Sequence, residues 1–77
     1  MTTEPKLRVQ VVDDKLIVTL PGSHYSVTYY KPGSASHLMA KNIAERDDLR
    51  IQLPVADFLA AAWRLANDKA RELGWIV

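Results

Sequence analysis

The chain predicts an α+β fold: three or four antiparallel strands in a meander, covered by one long C-terminal helix. Two patterns carry this expectation. Residues 7–30 alternate apolar and polar with a period of two, in three short runs separated by turn residues. Residues 54–73 repeat apolar side chains at helical spacing instead. A period of two marks half-buried strands, and a period near 3.6 marks an amphipathic helix.

The strands come first. Leu7, Val9 and Val11 form one alternating run, Leu16, Val18 and Leu20 a second, and Tyr25, Val27 and Tyr29 a third. A hairpin turn at Asp13-Asp14 sets Val11 against Leu16, Val9 against Val18, and Leu7 against Leu20. A second turn at Gly22-Ser23, after Pro21, sets Leu20 against Tyr25, Val18 against Val27, and Leu16 against Tyr29. In these registers all nine apolar residues share one face. A slip of one residue in either hairpin would divide them between the faces. The tyrosine-rich stretch HYSVTYYKPG therefore splits: Tyr25 and Tyr29 point inward, and Tyr30 points out.

Pro32 and Gly33 end the third strand. The next segment, SHLMAKNIAERDD, has helix formers behind a possible serine cap at Ser34 or Ser36, yet HLMAKN fits a fourth strand equally well. Residues 37–43 therefore stay open between helix and strand. LRIQL alternates again at Leu49, Ile51 and Leu53.

The last element is a helix from Pro54 to Leu73. Proline suits a first helical turn. Val55, Phe58, Leu59, Ala62, Leu65, Ala66, Ala70 and Leu73 form one broad stripe. Gly74 has the place of a left-handed cap, with Trp75 making the apolar contact such caps carry. An apolar stripe and an apolar sheet face must cover each other in water.

The ending AWRLANDKARELGWIV, with VTYYKP upstream, resembles small bacterial proteins of unknown function. The resemblance covers the last quarter of the chain and one strand. It implies that the sheet-then-helix layout recurs, and it implies no activity, ligand or functional residue.

Composition bounds the function. A chain of 77 residues is expected to be a single domain, spanning residues 1–77. A domain of this size buries only about 60–65% of the surface its unfolded chain exposes, so a second copy is a ready way to enlarge the core. Ten basic and nine acidic residues balance to a net charge of +1. They do not cluster, whereas nucleic-acid binders concentrate Lys and Arg. With no cysteine, disulfides and thiolate metal sites are excluded. MTTEPKLRV carries an acid and a proline where a signal peptide needs an apolar stretch, and the longest apolar run, Phe58–Trp63, is too short to span a membrane. A cytoplasmic protein is expected, without membrane contact.

The chemistry-bearing residues do not converge. His24 sits at a hairpin turn and His37 after the Pro-Gly-Ser segment. Neither has a carboxylate at helical spacing, and a catalytic zinc needs three protein ligands. Asp13-Asp14 and Asp47-Asp48 lie in turn-like stretches where solvent is expected to leave them ordinary carboxylates. Ser23-His24 and Ser36-His37 are neighbours in sequence, but successive strand side chains point to opposite faces. No enzyme, metal or cofactor is expected.

Two surfaces remain. The outer sheet face carries Arg8, Gln10, Val12, Ile17, Thr19, Ser26, Thr28 and Tyr30. There, Val12, Ile17 and Tyr30 fall near one end as a modest apolar patch. Together with Trp63 and Trp75 they are the interface candidates for a partner protein or a homodimer. The alternative is weak nucleic-acid or anion binding through Tyr30, Lys31, Ser36 and His37. That needs a helix start after KPGSASH, or a stacking platform on which only one tyrosine is available.

Overall fold

The computed structural model describes residues 6–76. Residues 1–5, read above for a signal segment, and Val77, the end of the apolar tail, lie outside the described residues. Four strands, β1 (Arg8–Val12), β2 (Lys15–Thr19), β3 (Ser26–Tyr30) and β4 (Met39–Lys41), form one antiparallel sheet in the order β1-β2-β3-β4. The helix α1 (Val55–Glu72) packs on one face. This is the expected α+β architecture, with the fourth strand present.

The registers follow the alternation. Val9 pairs with Val18 and Val11 with Leu16; Val18 pairs with Val27 and Leu16 with Tyr29. The first turn is the two residues Asp13-Asp14, with Asp13 in the left-handed region at φ 56°, which Asp tolerates. The second differs from the expected Gly22-Ser23 turn. Ser23 N–H donates to Leu20 O at 3.2 Å, so Pro21 and Gly22 are the central residues. Gly22 has φ 87°, and this is the Pro-Gly order of a type II turn. Ser23 Oγ then bridges Leu20 O and Tyr25 N–H at 2.8 and 3.0 Å, which keeps Leu20 opposite Tyr25 in a four-residue loop.

For residues 37–43 the strand prevails over the helix. Met39 pairs with Tyr30 and Lys41 with Thr28, and Asn42 at φ 53° ends the pairing. Leu38, just before β4, is buried in the core. LRIQL is a bend rather than a strand. Ile51 N–H turns back to Asp48 O at 3.1 Å and Leu53 O accepts from Tyr25 Oη at 2.7 Å, so these backbone groups find partners outside any sheet.

The core is Leu16, Val18, Tyr25, Val27, Tyr29 and Leu38 from the sheet side, against Phe58, Ala62, Ala66 and Ala70 of α1. The alanines recur every four residues, so they form one narrow row whose small side chains bring the helix axis close to the sheet. Phe58 fills the end of that row and stacks on Tyr25 with ring centroids 5.0 Å apart. At the C-terminus Gly74 has φ 80°, Trp75 N–H reaches Ala70 O at 2.8 Å, and Gly74 N–H reaches Arg71 O at 3.0 Å. These are the two bonds of a Schellman cap. At the N-terminus Pro54 has no side-chain hydrogen bond to offer. Asp47 Oδ1 accepts from Val55 N–H at 2.7 Å in its place. No described helix is long and apolar enough to cross a membrane.

α1 lies over β2 and β3. One inward residue of the nine, Val11, consequently remains 45% exposed on the edge strand.

Candidate functional site

The two ends of the sheet differ in character. At the Pro21-Gly22 end, the long connection between β4 and α1 folds against the β2–β3 loop through Asp48. Its carboxylate is buried, and accepts from Arg50 N–H, Arg50 Nε and Arg50 Nη2 at 3.0–3.1 Å, and from His24 N–H at 3.2 Å. His24 Nδ1 lies 3.3 Å from it. The Arg50 guanidinium, then the Arg50 and His24 backbone N–H groups, hold this carboxyl far below the ordinary carboxylate range, against the opposing effect of burial. The same residue's N–H donates to Tyr25 Oη at 2.9 Å, and that hydroxyl donates onward to Leu53 O.

This corrects the expectation of a solvated acid for Asp48, which is buried, whereas Asp47 is exposed as expected. Asp47 caps the helix and Asp48 ties the connection down. It also shows that His24 does have a carboxylate in reach. Its other nitrogen, Nε2, sits 3.1 Å from Arg46 O. Both ring nitrogens lie near protein acceptors, and a neutral ring can donate to only one of them. Sequence spacing gave no sign of this cluster, because its members lie 22–28 residues apart. The shallow hollow beside it, about 190 Å³, is lined by Asp47 to Leu49 and Ile51 to Pro54 and does not include His24. Among the described residues, no three metal-ligating side chains gather.

At the Asp13-Asp14 end the outer face is open. The pairings place Val12, Lys15, Tyr30 and Met39 in one row across the sheet, with Ile17 in the next row. Val12 and Met39 are 44% and 46% exposed; Ile17 and Tyr30 are half-buried. Lys15 divides the row, but its ammonium is turned aside to Asp14 Oδ1 at 3.2 Å, which lowers the Asp14 pKa. The register thus gathers Val12, Ile17 and Tyr30 as expected and adds Met39, which the open choice over residues 37–43 had hidden.

Trp63 and Trp75 belong elsewhere. Trp63 is 43% exposed on α1, on the opposite side of the sheet, with its ring 5.7 Å from that of Tyr29. It borders an open groove of about 400 Å³ with Arg64, Asn67, Asp68 and Arg71. Arg71 pairs with Asp68, and Asn67 with the Trp63 carbonyl, so much of the groove's polarity is turned back on the helix. Trp75 is half-buried against the core.

Of the alternative set, the Tyr30 ring carries Lys41 Nζ 5.3 Å from its centroid, Lys31 Nζ donates to Gly33 O at 3.3 Å, and Ser36 and His37 are exposed. A strand follows KPGSASH, so the helix start that an anion site there required is missing. In comparisons with known proteins, the chain matches no family model, no curated protein and no solved structure.

Proposed function

We propose that this chain is a small, non-enzymatic interaction module that works by self-association. One observation carries the reading. At the Asp13-Asp14 end, apolar side chains stand exposed on both faces of the sheet: Val11 on the helix side, Val12 and Met39 on the other. Exposed apolar clusters of this kind mark contact surfaces. The carboxylate of Asp48, already accepting four hydrogen bonds, and the absence of His24 from the hollow beside it weigh against acid–base catalysis at the most polar cluster. Lys41 over the Tyr30 ring occupies the face on which a nucleobase would stack, which weighs against the nucleic-acid alternative. A cytoplasmic setting fits the lack of cysteine.

Sedimentation over a wide concentration range tests the reading. A rise from monomer to dimer mass is expected. A monomer at millimolar concentration overturns it.

A further inference from the structure

The backbone says how two copies would meet. Leu20 N–H donates to Tyr25 O, so Leu20 directs its backbone polar groups toward β3. Those groups alternate sides along an antiparallel strand. Leu16 and Val18 therefore also bond β3, while Lys15, Ile17 and Thr19 bond β1. Their partners Arg8, Gln10 and Val12 face β2. Val9 and Val11 then direct N–H and C=O outward, along an edge that no strand of the described residues pairs.

The two edges are not equivalent. β4 has three residues, and only Ala40 between its pairing positions faces outward before Asn42 breaks the strand. β1 has five residues, with no proline and no bulge in its register. Short or interrupted edges resist pairing, and long regular ones invite it. The charges of β1 are also ordered: Lys6 and Arg8 lie at its start, Asp13 and Asp14 just past its end.

Resting on the self-association reading, we infer that β1 pairs antiparallel with β1 of a second copy, with the two Gln10 residues facing each other on the two-fold axis. This register pairs all five strand residues. It sets Val9 against Val11 of the second copy, twice, so the outward backbone groups of both valines are bonded. It packs the exposed Val11 side chain against a neighbour on the helix side. Arg8 stands against Val12 of the second copy, and Lys6 lies beside its Asp13-Asp14 turn, so the basic start of each strand meets the acidic end of the other. A shift of one step either way loses part of this. Centring on Val9 brings no basic residue of the second copy to the Asp13-Asp14 turn, and centring on Val11 sets Val9 against Asp13. The product is a continuous sheet of eight strands, four from each copy.

The chain has no cysteine, so single cysteine variants report the register directly. Gln10 pairs with itself in a non-hydrogen-bonded position, where Cα atoms lie about 4.5 Å apart, within disulfide reach. Gln10→Cys is expected to form a disulfide dimer under mild oxidation. Arg8→Cys, whose two copies lie about 13 Å apart along the strand in this register, is expected to cross-link at least about tenfold more slowly. Val11→Lys is expected to weaken the dimer about tenfold or more by placing a charge against Val9. Three results overturn the inference while leaving self-association standing: a sedimenting dimer in which Gln10→Cys does not cross-link, equal cross-linking at positions 8 and 10, or a Val11→Lys variant that still dimerises at the original concentration. A wild-type chain that stays monomeric overturns both.

Discussion

The two ends of this sheet solve the same problem in opposite ways. At the Pro21-Gly22 end every buried side-chain polar atom has a partner within the chain; indeed none is unpartnered among the described residues. The connection to α1 makes few regular hydrogen bonds, yet Tyr25 and Asp48 supply what its backbone lacks. At the Asp13-Asp14 end the situation reverses. The strands are regular, but β1 keeps an open edge and Val11, Val12 and Met39 keep their apolar surface. Among the described residues one helix faces four strands, and it sits on the central pair. The first end is closed in its hydrogen bonds, although Leu49 and Ile43 stand exposed there; the uncovered Val11 at the other end follows from where that helix lies.

The largest effect expected on this contrast comes from one oxygen. Tyr25→Phe keeps the ring stacked on Phe58 but removes the hydroxyl between Asp48 N–H and Leu53 O. Two backbone groups of the connection lose their partner, at about 1–3 kcal/mol for each that stays buried. Chemical denaturation should show a loss of about 2–6 kcal/mol on that basis. A loss under about 0.5 kcal/mol, the size of an ordinary surface change, would mean that water replaces the hydroxyl and that the closed end is not closed.

The contrast also explains what was legible in the sequence. The sheet registers were, because alternation with a period of two leaves one pairing that gathers the apolar residues on a face. Val12, Ile17 and Tyr30 came with it. The closed end was not legible. Tyr25 and Asp48 lie 23 residues apart, and no local period announces a hydroxyl reaching a backbone amide. Leu49, Ile51 and Leu53 alternated like a strand, but a buried Asp followed by Arg two residues later made a tighter local turn instead. Met39 and Lys41 were hidden because HLMAKN is short enough to satisfy either period. Val11 was assigned to the core correctly by face and wrongly by burial, since alternation says which side a residue points to and not whether anything covers it.

A smaller effect, with a sign, belongs to Asp48. An unfolded carboxylate of this kind titrates near 3.8, and the folded one is held well below that by Arg50. As pH falls through 3.8, the unfolded chain takes up a proton that the folded chain refuses. The stability contributed by Asp48 is therefore full above that pH and is lost progressively below it, until the folded carboxyl itself protonates. Asp48→Asn should lower the melting temperature at pH 7, and the gap to the native sequence should narrow between pH 5 and pH 2. Thermal melts across that range decide it. Parallel curves for the two proteins would show that the Arg50 contact stabilises nothing.

The smallest effect on the isolated fold is expected at the open end, where it sharpens the comparison most. Val11→Thr is nearly isosteric and keeps a β-branched residue on a strand. At 45% exposure the new hydroxyl reaches water, so a dilute monomer should change by no more than about 0.5 kcal/mol. The association should respond instead, because the hydroxyl would be set against Val9 of the second copy in a dry contact. A protein stabilised by dimerisation melts at higher temperature as its concentration rises. That rise should be clear for the native sequence and weaker for Val11→Thr. If the dilute variant instead loses as much as Tyr25→Phe, Val11 is part of the monomer's own core, and the open end is as self-sufficient as the closed one.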